Sequence, residues 1–169
     1  MSSAHAPGPV DEHLKHTVGR AIGRIPSGIF ILTAQNGGEA TAMLASWVQQ
    51  AGFNPPAVSI AIARDRPAVE MIRQTKLFAL SVLGEHDSAL MKKYARGVAP
   101  AEALTGMNVR RTPQGLPVLA DALAYMECRL RSVCEFGGDH DLYVAEVISG
   151  ELLREGNSFM HQRGNGFHY

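Results

Sequence analysis

Two arginines precede a proline where the sequence predicts the start of a helix. Arg64 and Arg66 flank Asp65, and Pro67 follows at the first helical position, where its missing N–H costs no hydrogen bond. The first N–H groups of a helix lack intrahelical acceptors, and with the helix dipole they favour a bound anion. The segment therefore indicates a phosphate site, and a solvated charged turn is the alternative that these residues leave open.

A second candidate segment carries the only tryptophan of the chain. A predicted strand ends here in small and apolar residues followed by the indole: Met43, Leu44, Ala45, Ser46 and Trp47. Small side chains in such a position let a flat ring approach the backbone. The segment is therefore predicted to contact a planar ligand, although a tryptophan that caps a barrel core fits the same residues.

A histidine stands on a glycine-rich loop between two predicted strands. His140 follows Gly138 and Asp139 in the loop 137–141. A loop of this kind can present an imidazole to a ligand, and a histidine that is satisfied by its neighbours is the alternative.

Other kinds of site find little support in the sequence. No GxGxxG follows a strand, and no GxxxxGK[ST], HExxH or GxSxG pattern occurs. The remaining histidines near the two ends have no ligand spacing, so they are predicted to be tail and surface residues that bind no metal: His5, His13, His16, His161 and His168.

The two cysteines do not suggest a disulfide scaffold or a nucleophile. Cys128 and Cys134 lie six residues apart and form no CxxC pair, so both are predicted to be buried free thiols. Cys128 falls on the apolar face of a predicted strand, where a thiol is inert.

The elements that must position these segments are mostly strands with hairpin signals. Helices are predicted at 10–24, 67–75 and 85–95, and strands at 29–34, 39–47, 57–63, 77–83, 124–136 and 142–153. Asn36, Gly37 and Gly38 predict a tight hairpin turn after the first strand. Because strands and helices do not alternate strictly, a mainly β, antiparallel barrel with peripheral helices is predicted rather than a Rossmann sheet.

Two longer stretches lead to more specific expectations. Residues 96–112 are irregular and polar, which suggests a lid or a dimer arm. The strand at 124–136 alternates between an apolar face that includes Cys128 and a polar face that includes Tyr125, Glu127 and Arg129, so it is predicted to be half-buried.

Composition predicts one ordinary globular domain over residues 1–169, with residues 1–9 as a mobile tail. Sixteen basic and sixteen acidic residues balance, so no net field favours nucleic acid or an anionic membrane. No apolar run approaches the roughly 20 residues of a membrane span, and the start does not resemble a signal peptide. A cytoplasmic location is therefore expected.

Three segments, in this order, resemble the flavin reductase-like family of FMN-binding split barrels. Residues 23–33 resemble the family's first strand, and residues 42–56, with the turn Pro55-Pro56, resemble its flavin-contacting stretch. Residues 138–147 resemble its Gly-Asp-His hairpin. The likeness extends over residues 18–153 and is greatest to the flavin reductase module of diflavin flavodiiron proteins.

This resemblance implies a homodimer of split β-barrels with about three peripheral helices and one FMN per subunit, FAD being possible instead. The residues that it places against the isoalloxazine ring are Met43, Leu44, Ala45, Ser46 and Trp47, and those near the phosphate are Ala63, Arg64, Asp65, Arg66 and Pro67. His140, the one residue to which the resemblance gives a catalytic role, would lie where a nicotinamide stacks and would orient it or balance charge. Leu44 replaces a common threonine, and Pro67 and Ala68 replace common hydroxyl residues, so the phosphate would depend on arginine charge and backbone N–H groups.

The resemblance implies an oxidoreductase that passes electrons from NAD(P)H through the flavin to an acceptor, which could be a redox partner protein. Two alternatives stay open. An FMN protein could instead be reduced by a protein partner, and a relative without flavin could keep the barrel as an interaction module.

Overall fold

Eleven β-strands and three α-helices make up the described part of the structure, a computed structural model that describes residues 11–167. The predicted mobile tail at 1–9 lies outside the described residues. In chain order the elements are α1 (Glu12–Ile22), β1 (Ser27–Gly28), β2 (Phe30–Asn36), β3 (Glu39–Ala45), β4 (Val48–Phe53), β5 (Pro56–Ala63), α2 (Pro67–Thr75), β6 (Leu77–Val82), α3 (Ser88–Ala95), a 3-10 turn (Pro100–Glu102), β7 (Val109–Arg111), β8 (Pro117–Leu119), β9 (Ala124–Cys134), β10 (His140–Leu152) and β11 (Met160–His161).

Seven strands form one antiparallel sheet in the order β3-β2-β6-β9-β10-β5-β4. The edge strands β3 and β4 follow each other in the chain but do not pair within this sheet. The barrel is therefore split along one seam, and Ser46 and Trp47 connect the two edges there. The predicted fold, a mainly β, antiparallel split barrel with about three helices, is confirmed.

Local signals fixed several elements correctly. The β2–β3 hairpin pairs Asn36 with Glu39, and Gly37 turns the chain at a φ of 58°, a region that favours glycine. Helix α2 begins at Pro67 and ends at Thr75, which are the predicted bounds. Of the seven strands of this sheet only β4 was missed, because an edge strand with mostly exposed side chains has no clear alternation and depends on its pairing with β5. The short strands β1, β7, β8 and β11 outside the sheet were not predicted either.

The barrel interior is filled by apolar side chains that project from the inner face of the sheet. Its fully buried large members are Leu32, Ile60, Ile62, Phe78, Leu80 and Tyr143. A second apolar layer lies outside β2 and β3, beneath α3 and the chain that follows it. These two layers hold the seam in a defined geometry.

Residues 96–112 are mostly exposed, and a few apolar side chains anchor them to their own barrel. Ala103 is fully buried, and its carbonyl oxygen accepts a hydrogen bond of 2.6 Å from the buried Tyr94 hydroxyl. This pairing anchors the segment beside α3.

Strand β9 is buried on both faces near its start, which corrects the expectation of a half-buried strand. The segment around β7 and β8 covers the face that was predicted to be solvated, so Tyr125 and Glu127 are buried there. The Glu127 carboxylate accepts hydrogen bonds from the Thr112 hydroxyl and, at 3.2 Å, from the Gln114 N–H. Long-range packing therefore decided a burial that alternation could not reveal.

The cysteines differ from each other in their surroundings. Cys128 is buried as predicted, and burial together with the nearby Glu127 carboxylate raises the pKa of its thiol to about 12. Cys134 is exposed, which contradicts the prediction that both thiols are buried.

From residue 11 to residue 167, no helix is both long enough and apolar enough to cross a membrane.

Candidate functional site

A cavity of about 400 Å³ opens at the seam of the barrel, and we call it the main cavity. Its walls come from β3 and the seam, from β5, from the start of α2, from the end of α3 and from the 160–167 segment. The principal lining residues are Met43, Leu44, Ala45, Ser46, Trp47, Ala61, Ala63, Arg66, Pro67, Ala68, Met91, Tyr94, Arg96, Gly97, Val98, His161 and Arg163.

All five residues of the predicted ring-contacting segment line the main cavity: Met43, Leu44, Ala45, Ser46 and Trp47. They lie on an edge strand and the seam beside it, where β3 pairs with β2 on one side only. Peptide groups at a free sheet edge can hydrogen-bond a ligand. The segment therefore offers small side chains and backbone groups to a flat guest.

The two predicted phosphate arginines separate in the structure. Arg66 lines the main cavity together with Ala63 and Pro67, whereas Arg64 and Asp65 are not among its lining residues. The Arg64 guanidinium instead pairs with Asp141 at 2.8 Å.

Asp141 gives a physical reason for the position of Arg64. Its side chain is only 3% exposed, and a buried carboxylate is costly unless a cation compensates it. The Arg64 Nε donates a second hydrogen bond of 2.9 Å to Asp141, and Arg73 lies 3.5 Å from the other carboxylate oxygen. Arg64 therefore compensates a buried charge, which leaves Arg66 as the cavity cation of the pair.

The start of α2 adds a backbone donor beside Arg66. Arg66 is the N-cap residue and makes no capping hydrogen bond through its side chain. Pro67 carries no N–H, and the next residue, Ala68, is buried and lines the main cavity. First-turn N–H groups of this kind, next to a guanidinium, favour an anion.

Arg96 and Gly97 are lining residues that the sequence did not single out. Arg96 follows α3 as its C-cap, and Gly97 turns the chain at a φ of 75°. They belong to the predicted irregular segment 96–112, so the first residues of that segment do border the cavity. Arg96 adds an exposed cation to the cavity.

The 160–167 segment supplies two further residues, His161 and Arg163, although His161 was expected on the surface. Strand β11 pairs with β1, with Ser27 opposite His161. Burial, followed by the positive charge of Arg163, lowers the pKa of His161, so this imidazole is neutral near pH 7. Two-residue strands leave no periodicity, and no local signal could have found this placement.

Arg163 joins the 160–167 segment to the seam. Its Nη2 donates a hydrogen bond of 2.5 Å to the Ser46 hydroxyl, and its guanidinium carbon lies 5.4 Å from the centroid of the Trp47 ring. The backbone reaches this position because Gly23 has no side chain: a Cβ there would come 2.7 Å from the Arg163 carbonyl oxygen.

His140 does not line the main cavity itself but lies beside two of its lining residues, Trp47 and Ala63. The imidazole is buried, its centroid lies 4.7 Å from that of Trp47, and it is not itself among the lining residues. Its Nδ1 lies 3.0 Å from the Asp139 carboxylate, and this hydrogen bond lowers the pKa of Asp139. The structure thus brings His140 against the indole of the predicted ring-contacting segment.

No group of three or more potential metal ligands from His, Cys, Asp and Glu occurs among residues 11–167.

Comparison with known proteins identifies clear relatives. Residues 22–167 match the family described as flavin reductase like domain. Diflavin flavoprotein A 1 of Synechocystis sp. is 39% identical over 153 residues, which are 89% of this chain but 26% of that protein. The chain thus spans about a quarter of the length of this relative.

Solved structures agree on the fold. The NADH:FAD oxidoreductase SgcE6 of Streptomyces globisporus superposes with a TM-score of 0.80 at 24% identity, covering 94% of this chain and 93% of that one. The flavin reductase of styrene monooxygenase from Pseudomonas putida S12 gives a TM-score of 0.73 at 23% identity, covering 85% and 90%.

Proposed function

Because the chain belongs to the flavin reductase-like domain family, we propose that it holds FMN in the main cavity and takes electrons from NADH or NADPH. Membership supports a flavin-dependent oxidoreductase. The choice of FMN, the nicotinamide donor and a downstream acceptor, which could be a redox partner protein, are parts of the proposal.

One observation carries the proposal: the main cavity combines a wall for a flat ring with an anion site. Its volume of about 400 Å³ falls in the range of roughly 300–1,000 Å³ that is usual for cofactor sites. Small residues at 45 and 46 and on β5 leave room beside Trp47, and Arg66 with the start of α2 fits a phosphate. The residues therefore fit the amphipathic shape of FMN.

The bound flavin would supply the redox chemistry, accepting a hydride from the reduced nicotinamide, which leaves in its oxidised form. The chain's own residues would bind and orient the flavin. Residues 43–47 hold the ring through backbone groups, Arg66 and the N–H of Ala68 hold the phosphate, and Ser46 is kept in place by Arg163. Arg96 offers charge for a longer anionic tail, which would let FAD bind as well.

No acid or base from the chain is required for hydride transfer, so we assign His140 to positioning. Its ring packs on Trp47 and thereby sets the wall against which a flavin would lie. We further propose, from the family resemblance, that the chain forms a single domain and assembles as a homodimer, which light scattering of the purified protein tests.

The central experiment is an absorbance spectrum followed by anaerobic reduction. The purified protein, supplied with FMN, should show a flavin band near 450 nm in the protein fraction after gel filtration, and NADH or NADPH should bleach it within minutes. A yellow protein that neither nucleotide bleaches would contradict the donor. A protein that takes up neither FMN nor FAD would contradict the cofactor.

His140→Ala is expected to slow the bleaching step by about tenfold while FMN stays bound, because the indole loses its packing partner. Stopped-flow absorbance measures the rate. His140→Phe, which keeps a ring against Trp47, should recover most of it, and His86→Ala, at an exposed histidine, is the control. If the phenylalanine variant is as slow as the alanine variant, the imidazole has a chemical role and positioning is the wrong assignment.

A further inference from the structure

A second cavity of about 340 Å³ lies against the main cavity, and we call it the side cavity. The two share Ser46, Trp47, Ala61 and Arg163 as lining residues. The rest of the side cavity is formed by the outer face of the sheet and by the connection between α1 and β1. A molecule in the side cavity would therefore lie directly beside a flavin in the main cavity.

The Ser27 hydroxyl marks the side cavity as a place for a polar guest. Ser27 lines this cavity, is 5% exposed, and its buried Oγ has no hydrogen-bond partner in the described part of the protein. Buried hydroxyls are nearly always hydrogen-bonded, because an unsatisfied one has lost its hydrogen bonds to water without replacement. A hydroxyl left in this state at a cavity wall is suited to bind a ligand atom.

The charge of the side cavity specifies the guest further. Arg163 is its only charged lining residue within the described chain, and Ser27, Ser59 and Gln49 are its other hydrogen-bonding side chains besides Ser46 and Trp47. Apolar residues such as Ile25 and Leu142 make up much of the remainder. One cation among apolar and neutral polar groups matches a sugar phosphate joined to a flat base.

We propose that the side cavity binds a phosphate-bearing part of the dinucleotide donor, with Arg163 neutralising a phosphate and the Ser27 hydroxyl donating a hydrogen bond to the same part of the molecule. This inference rests on the proposed function. The shared Trp47 wall then brings the nicotinamide to the main cavity. Arg163 acts at the boundary, since it contacts Ser46 and Trp47 from the side of the 160–167 segment.

Three variants test this assignment in the FMN-loaded protein. Ser59→Leu fills the side cavity from a residue that does not line the main cavity, and Ser27→Ala removes the unpartnered hydroxyl. Arg163→Gln removes the charge but keeps a donor for Ser46. Ser132→Leu is the matched control, because Ser132 lies exposed on β9 of the same sheet and lines neither cavity.

Calorimetric titration with NAD⁺ and NADP⁺ gives a binding readout that is independent of turnover. Relative to the wild type, we expect dissociation constants to rise at least tenfold for Ser59→Leu and Arg163→Gln, and about three- to tenfold for Ser27→Ala. The Ser27→Ala protein should melt no lower than the wild type, because its hydroxyl has no partner to lose. Ser132→Leu should leave the dissociation constants unchanged.

The outcomes separate this inference from the proposed function. If NADH and NADPH fail to bleach the wild type, the proposed function fails and this inference fails with it. If the wild type is bleached but Ser59→Leu and Ser27→Ala bind the nucleotides as tightly as the wild type, only the side-cavity assignment is overturned. Weaker binding in these variants at unchanged FMN content supports it.

Discussion

Arg66→Ala is expected to weaken FMN binding by about 10- to 100-fold, because the phosphate loses its guanidinium partner at the start of α2. A hydrogen bond to a charged group contributes about 1.5–3 kcal/mol, and every 1.4 kcal/mol changes affinity about tenfold. Arg66 is the N-cap residue, makes no capping hydrogen bond through its side chain, and is only half-buried, so the apoprotein should keep its stability. Fluorescence titration of the apoprotein with FMN measures the affinity.

Arg64→Ala is the matched comparison and should have the opposite profile. The buried Asp141 carboxylate would keep only Arg73, at 3.5 Å, so we expect a loss of about 1–3 kcal/mol in the free energy of unfolding. FMN affinity should stay within about twofold, since the loss of a surface-facing arginine away from the cavity removes no ligand contact. A larger loss of FMN affinity in Arg64→Ala than in Arg66→Ala would reverse the assignment of the phosphate arginine.

Ala63→Leu should abolish flavin binding, with a loss of at least about 100-fold, by filling the main cavity. Ala63 ends β5 opposite His140, and its side chain lies on the outer face of the strand, where the cavity begins. Because the barrel interior is on the other face, the fold should tolerate the larger side chain. We expect the purified protein to lose its yellow colour, while its circular dichroism spectrum and melting temperature stay unchanged.

Ala57→Leu controls for a leucine on the same face of the same strand. Ala57 is equally half-buried but lies at the other end of β5, outside the main cavity. It should bind FMN as the wild type does. Normal flavin content in Ala63→Leu would show that the cofactor lies elsewhere, and the proposed site would have to be abandoned.

The sequence could predict those parts of the molecule whose signals are local. A proline after two arginines predicted the start of α2, and the turn at Asn36–Gly38 predicted a hairpin. Both features depend on backbone conformations that a few adjacent residues determine. The predicted ring-contacting stretch 43–47 is contiguous, so placing one of its residues at the cavity places the others nearby. For the same reason three of the five residues predicted at 63–67 line the cavity, namely Ala63, Arg66 and Pro67.

Only the tertiary structure could distinguish between residues that have the same local sequence signals. Nothing in the local sequence distinguishes Arg64 from Arg66. In the structure Arg64 pairs with the Asp141 carboxylate, 77 positions away, and Arg66 lines the cavity instead. Likewise, His161 and Arg163 reach the seam because β11 pairs with β1, although the two strands lie near opposite ends of the described sequence. Periodicity reports which face of an element is apolar, but it contains no information about the partner that will cover that face or compensate a buried charge.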